Sequence, residues 1–165
     1  MDADRDLERM AVQERRLRPA RFDADTAWVL GGRLKTLAEA RGVAVAIEIR
    51  IAGRMVFFHA MSGSTPANAD WARRKCNAVE LLQRSSYALR CAPLKDGMTA
   101  MQRMGLPLRE YALVGGGFPI AVEGVGVIGA VAVSGLPERD DHALVVEALA
   151  GLCGVPLDEV RLPEP

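Results

Sequence analysis

The chain has 165 residues, enough for one domain with a sizeable core, and half of them are apolar while a quarter are charged. That balance is ordinary for a globular protein and excludes a disordered or collagen-like chain. Lys plus Arg and Asp plus Glu each number 21, so no net field draws the chain to nucleic acid or to an anionic membrane.

The opening MDADRDLERM is densely charged and has no apolar core of a secretory signal. No apolar run reaches the roughly 20 residues of a membrane span, and three cysteines without CxxC spacing fit reduced thiols in a cytoplasmic protein. Residues 2–17 predict a helix with Leu7, Met10, Ala11 and Leu17 near one side, ended by Arg18-Pro19. Asp23 is a suitable N-cap for a second helix, whose apolar face is Ala27, Leu30, Gly31, Leu34, Leu37 and Ala38. Arg41 falls in its last turn and Gly42 just beyond. The pair Gly31-Gly32 inside this helix is expected to permit close packing against another backbone.

Residues 43–51 alternate strictly, with Val43, Val45, Ile47, Ile49 and Ile51 on one side and Ala44, Ala46, Glu48 and Arg50 on the other. Ala52-Gly53 turns the chain and residues 55–60 return as a second strand, which completes a hairpin. Thr65-Pro66 reads as an N-cap and first helical residue, with Asn68 as an alternative cap. The pattern predicts one helix running on to Leu89, apolar on two sides, which points to burial between the sheet and something else, a second subunit included. Pro93, Gly97, Gly105 and Pro107 interrupt the next stretch, leaving a short helix near 98–104.

Residues 114–135, VGGGFPIAVEGVGVIGAVAVSG, form the centre of the pattern. Two β-rich runs joined at Glu123-Gly124 predict a second hairpin. Its uncharged return run, 125–133, reads as a central strand covered on both faces. A last helix follows from Pro137 or Asp140 to Cys153, with His142, Val145, Val146, Leu149, Leu152 and Cys153 on its inner stripe. Residues 155–165 read as a frayed or loosely docked tail. The order is α-α-β-β-α-(α)-β-β-α, an α+β fold with one largely antiparallel sheet and helices packed on it, in a single domain over 1–165.

Few residues carry chemistry unambiguously. The GGG of 115–117 can cradle an anion with backbone N–H groups, or simply make a tight entry to the sheet; it is neither a Walker A loop nor a dinucleotide fingerprint. Arg73-Arg74-Lys75 near a helix start can hold a carboxylate or propionate, although charge runs more often form ion pairs. His59 and His142 are the only histidines; each can serve as base, metal ligand or axial haem ligand, and each more commonly satisfies a structural role. Cys76, Cys91 and Cys153 lack CxxC spacing and read as reduced thiols in small core positions. No nucleophile motif stands out: GxSxG is absent, and Ser64 and Thr65 have no identifiable activating base.

The segment GGGFPIAVEGVGVIGAVAVSGLPERDDHALV resembles the closing segment of the GlcG/HbpS-like proteins, the haem-degrading domain family. The matching positions are Gly116, Gly117, Pro119, Ile120, Gly129, Val133, Ser134, Gly135 and Asp141. Phe22-Asp23, VAIEIR (45–50), STPANADWARRKCN (64–77), SSY (85–87) and SGLPERDDHALVVEAL (134–149) are similar to a branch of that superfamily without an assigned activity. The resemblance implies a profilin-like antiparallel sheet of about five strands, a homo-oligomer, and in some members haem binding. The expectation is an accessory protein binding a small anionic ligand, haem being the named candidate cofactor. Its site would lie near Gly116, Gly117, Trp71, Arg74, Lys75, Asn77, Asp141 and His142, with His59 or His142 as the polar or axial contact. The alternatives are a protein–protein adaptor without a small ligand and, less favoured, an enzyme acting on a small metabolite.

Overall fold

Alternation and capping between them set the elements. In a computed structural model, which describes residues 3–165, helix α1 spans Ala3–Arg16 and α2 spans Ala24–Ala40. The expected helix start at Asp2 lies outside the described residues. Asp23 caps α2: its carboxylate accepts from Thr26 N at 2.9 Å, and Thr26 Oγ1 accepts from Asp23 N. Strands β1 (Ala46–Ile51) and β2 (Arg54–Ala60) form the first hairpin, and β3 (Gly117–Val122) and β4 (Gly126–Ser134) the second. Between the hairpins lie α3 (Pro66–Leu82), α4 (Ser86–Cys91) and α5 (Ala100–Met104). Helix α6 (Glu138–Cys153) follows the second hairpin, and one 3₁₀ turn, Leu157–Glu159, follows α6.

The sheet is antiparallel in the order β2-β1-β4-β3, so the two hairpins join through β1 and β4. Four strands are present among the described residues, one fewer than the resemblance implied. The period of two places Val45, Ile47, Ile49, Phe118, Ile120, Val131 and Val133 on one face, in the main core with Leu30 and Leu34 of α2 and Val145 and Leu149 of α6. The opposite face is built from small residues. Ala130 and Ala132 of β4 meet Ala72, Cys76 and Val79, so α3 lies close on the sheet. Gly117 belongs to that face: a Cβ there would sit 2.9 Å from Val79 Cγ2 and 3.0 Å from Ser86 Oγ.

The structure revises further expectations. The helix foreseen through Leu89 stops at Leu82, where Gln83 takes a left-handed φ of 56°, and α4 restarts under the Ser85 cap. On the second apolar side of α3, Ala78 packs with Met101 and Leu113 within the chain, while Leu81 stays exposed. Gly31 is required by a ring and not by a backbone: its Cβ would fall 2.3 Å from Phe57 Cζ. The tail is docked. Val160 is fully buried, its carbonyl accepts from Gln13 Nε2 at 2.7 Å, and Arg9 Nη1 donates to the Glu159 carbonyl at 2.8 Å.

Candidate functional site

Helix α3 begins at a capping box in which Asn68 N donates to Thr65 Oγ1 (3.3 Å) and Thr65 N donates to Asn68 Oδ1 (2.8 Å). From that start, spacings of three and four residues put Asn68, Trp71 and Lys75 on one stripe of the helix. The stripe faces the connection from β4 to α6. Asn68, Trp71 and Lys75 on one side, and Ser134, Gly135, Leu136 and Asp141 on the other, line a cleft of about 220 Å³ together with Val114.

At its floor Lys75 is 1% exposed and Asp141 1% exposed. Lys75 Nζ donates to Asp141 Oδ2 at 3.0 Å and to the Val133 carbonyl at 2.9 Å. Asp141 also accepts from Leu136 N at 3.1 Å and Gly135 N at 3.4 Å, which ties the β4–α6 connection to the start of α6. Burial pushes the Lys75 ammonium down and the Asp141 carboxyl up, and their mutual attraction opposes both shifts. Gly116 makes room for the pair. At φ 125° its Cβ would lie 2.5 Å from the Val133 carbonyl oxygen and 2.7 Å from Lys75 Nζ.

The donors of the triple glycine are largely committed to the chain itself. Gly115 N donates to Glu138 Oε2 at 3.2 Å and Gly117 N to Ser86 Oγ at 2.9 Å. Arg74 does not line the cleft; its guanidinium lies 3.8 Å over the Trp71 ring, with Nε 3.0 Å from Asp70 Oδ2 and Nη1 donating to the Leu108 carbonyl. Arg73 pairs with Asp70 and Glu110. Asn77 points away from the cleft, accepting from Arg50 Nη1 of β1 at 2.6 Å and donating to the Glu110 carbonyl at 2.7 Å.

The two histidines lie apart from the cleft. His59 is half-buried on the edge strand β2, opposite Ile47. His142 is fully buried, its ring 5.3 Å from Tyr87 and 6.0 Å from Phe118. Its Nε2 meets Gln13 Oε1 at 2.8 Å. Because Gln13 Nε2 donates to Val160, the Gln13 oxygen accepts and His142 Nε2 carries the proton, leaving Nδ1 without a partner. Burial, with Arg139 nearby, pushes the His142 pKa down to about 3. The cleft thus gathers Trp71, Lys75, Gly116 and Asp141 from the expected residues, and adds Asn68, Ser134, Gly135 and Leu136. Of these, Asn68 was legible as a cap, and Ser134-Gly135 as a strand end and as matching positions of the resemblance, but none of the three as a site residue.

The architecture is that of α+β proteins in which an antiparallel sheet carries helices on both faces. Residues 22–150 match the family model described as haem degrading protein HbpS-like, and the chain belongs to that HbpS-like family. It is similar to a UPF0303 protein of Azotobacter vinelandii, 55% identical over 162 residues and covering 98% of each chain. In fold it is similar to the Ybr137w protein, with TM-score 0.80 and 24% identity over 90% of this chain and 87% of that one. It is similar also to PduOC, solved as a haem complex, with TM-score 0.66 and 18% identity over 75% and 89%.

Proposed function

We propose that this protein binds a small polar or anionic molecule in the cleft between the start of α3 and the β4–α6 connection, in an accessory role. The observation that carries this reading is a buried Lys75–Asp141 pair forming the floor of a cleft whose wall is Trp71. At about 220 Å³ the cleft is smaller than the roughly 300–1,000 Å³ of pockets that enclose drug-sized ligands, so it suits a metabolite of a few heavy atoms.

Haem is the second reading, favoured by the family description and by the haem complex of PduOC. A porphyrin exceeds this cleft and needs a larger surface, which a homo-oligomer would supply. Support for such assembly is the open edge of β2, where Met55 and Phe58 are exposed, beside Trp28 and Val29 of α2. The same surface serves the adaptor alternative. A cytoplasmic setting is supported by three free thiols, and no helix of the described residues is long and apolar enough to cross a membrane.

One titration series separates these readings. In a Trp28→Phe background Trp71 is the sole tryptophan. Saturable quenching of its fluorescence by small carboxylic or carbonyl metabolites is the expected result, and no response across such a panel overturns the cleft reading. Haem added to the same protein is followed at the Soret band. A saturable shift abolished by His59→Ala supports axial ligation by the half-exposed imidazole; an unsaturable shift indifferent to His59→Ala and His142→Ala removes haem.

A further inference from the structure

The cleft floor has a chemical property that goes beyond holding a ligand and that presupposes the cleft as the ligand site proposed above. The sequence holds three lysines, Lys35, Lys75 and Lys95. Lys35 is half-exposed and paired with Glu39, and Lys95 is exposed on a loop. Lys75 alone is buried, and it lines the cavity. Its ammonium has three N–H bonds, but among the described residues only two acceptors reach it, Asp141 Oδ2 and the Val133 carbonyl. A buried amine beside a cavity, with a carboxylate in reach to take its proton, is well placed as a nucleophile.

We infer that Lys75 captures a small aldehyde or ketone in this cleft as an imine, with Asp141 as its proton partner. The 3.0 Å contact lets a proton pass from Nζ to Asp141 Oδ2, freeing the nitrogen lone pair. Burial favours that transfer, since it shifts the lysine down and the carboxyl up. The amine adds to the carbonyl carbon to form a C–N bond and, after a proton moves from nitrogen to oxygen, a carbinolamine. Asp141 then returns its proton to the hydroxyl, the C–O bond breaks and water leaves. The balance is Lys75–NH₃⁺ plus R₂C=O giving Lys75–NH⁺=CR₂ plus water, with no oxidant or reductant consumed. The product iminium keeps one N–H, for which the Val133 carbonyl is the acceptor, and Asp141 and Glu138 supply counter-charge. Gly116 is the condition for this geometry, because a Cβ there would occupy the space 2.7 Å from the reacting nitrogen. The volume restricts the partner to a carbonyl compound of a few heavy atoms.

The test is borohydride trapping of the whole protein with low concentrations of acetaldehyde or pyruvate, followed by peptide mass mapping. The expected result is a reduced adduct on Lys75 at several-fold the occupancy of Lys35 and Lys95, since of the three amines only Lys75 lies beside a cavity with a carboxylate in reach to take its proton. Labelling of Lys75 no greater than that of the two surface lysines overturns the inference. The wild-type map decides this by itself, whether or not Lys75→Met folds; where it folds, the adduct is lost while circular dichroism is kept. Trp71 quenching without an adduct leaves ligand binding in place and removes imine formation, whereas neither quenching nor adduct removes both.

Discussion

His142 is held as a neutral imidazole between Tyr87 and Phe118, with its pKa pushed down to about 3 by burial first and Arg139 second. In the unfolded chain the same ring takes up a proton below about 6.5. The unfolded state therefore binds more protons between pH 6.5 and 3, and the stability His142 contributes is lost as pH falls through that window. Asp141 acts in the opposite sense, since burial raises its carboxyl and the native state gains that proton first. The expected loss from His142 alone between pH 7 and 5 is about 2 kcal/mol in urea unfolding, isolated as the difference in slope between the wild type and His142→Leu. A variant with an unchanged slope would show that the ring is solvated in the native state.

Two adjacent glycines in α2 behave differently because the helix turns them to different neighbours. Gly31 faces the Phe57 ring at 2.3 Å from its would-be Cβ, and Gly32 meets nothing within 4 Å. Gly31→Ala is expected to destabilise by about 1–3 kcal/mol through overpacking against a half-buried ring on β2. Gly32→Ala is expected to stabilise by about 0.5–1 kcal/mol, the helix-propensity gain of an exposed interior position. Thermal unfolding of the two single variants measures both. The helix periodicity at 27–38 was legible in the sequence, as were the caps at Asp23 and Thr65. The break at Gln83 was not, because a left-handed glutamine carries no residue signal and is imposed by where α4 must dock.

Across the whole molecule the two termini close on each other. Gln13 joins the His142 ring to the Val160 carbonyl, Arg139 pairs with Asp6 and donates to the Pro163 carbonyl, and Arg16 pairs with Glu159 at 2.6 Å. Removing residues 157–165 uncovers Gln13 and the Val160 pocket. The expected cost is about 3 kcal/mol from lost apolar burial and an orphaned amide. For a chain of this length that corresponds to roughly 6–12 °C in Tm by scanning calorimetry. A shift within about 1 °C would show the tail to be energetically idle. Composition gives no hint of this docking, since LDEVRLPEP reads as polar and Pro-rich.

The sequence by itself determined the element order apart from the break between α3 and α4, the two hairpins, the alternation that sorts Ile47 and Ile49 from Ala46 and Glu48, and the family. Those are local properties: periods of two and 3.6, capping side chains, and turn glycines. Tertiary structure alone decided which charges are spent. Arg73, Arg74 and Lys75 are consecutive in the chain, yet two lie near the surface in ion pairs and the third is buried beneath a cleft against Asp141, 66 residues away. Likewise Asp141 and His142 are neighbours, yet one lines the cleft and the other belongs to the core. Successive helix positions are rotated by about 100° from each other, so adjacency in sequence separates side chains to different faces. Only the packing of α3 and α6 on β4 settles which face meets solvent, which meets core, and which meets a cavity.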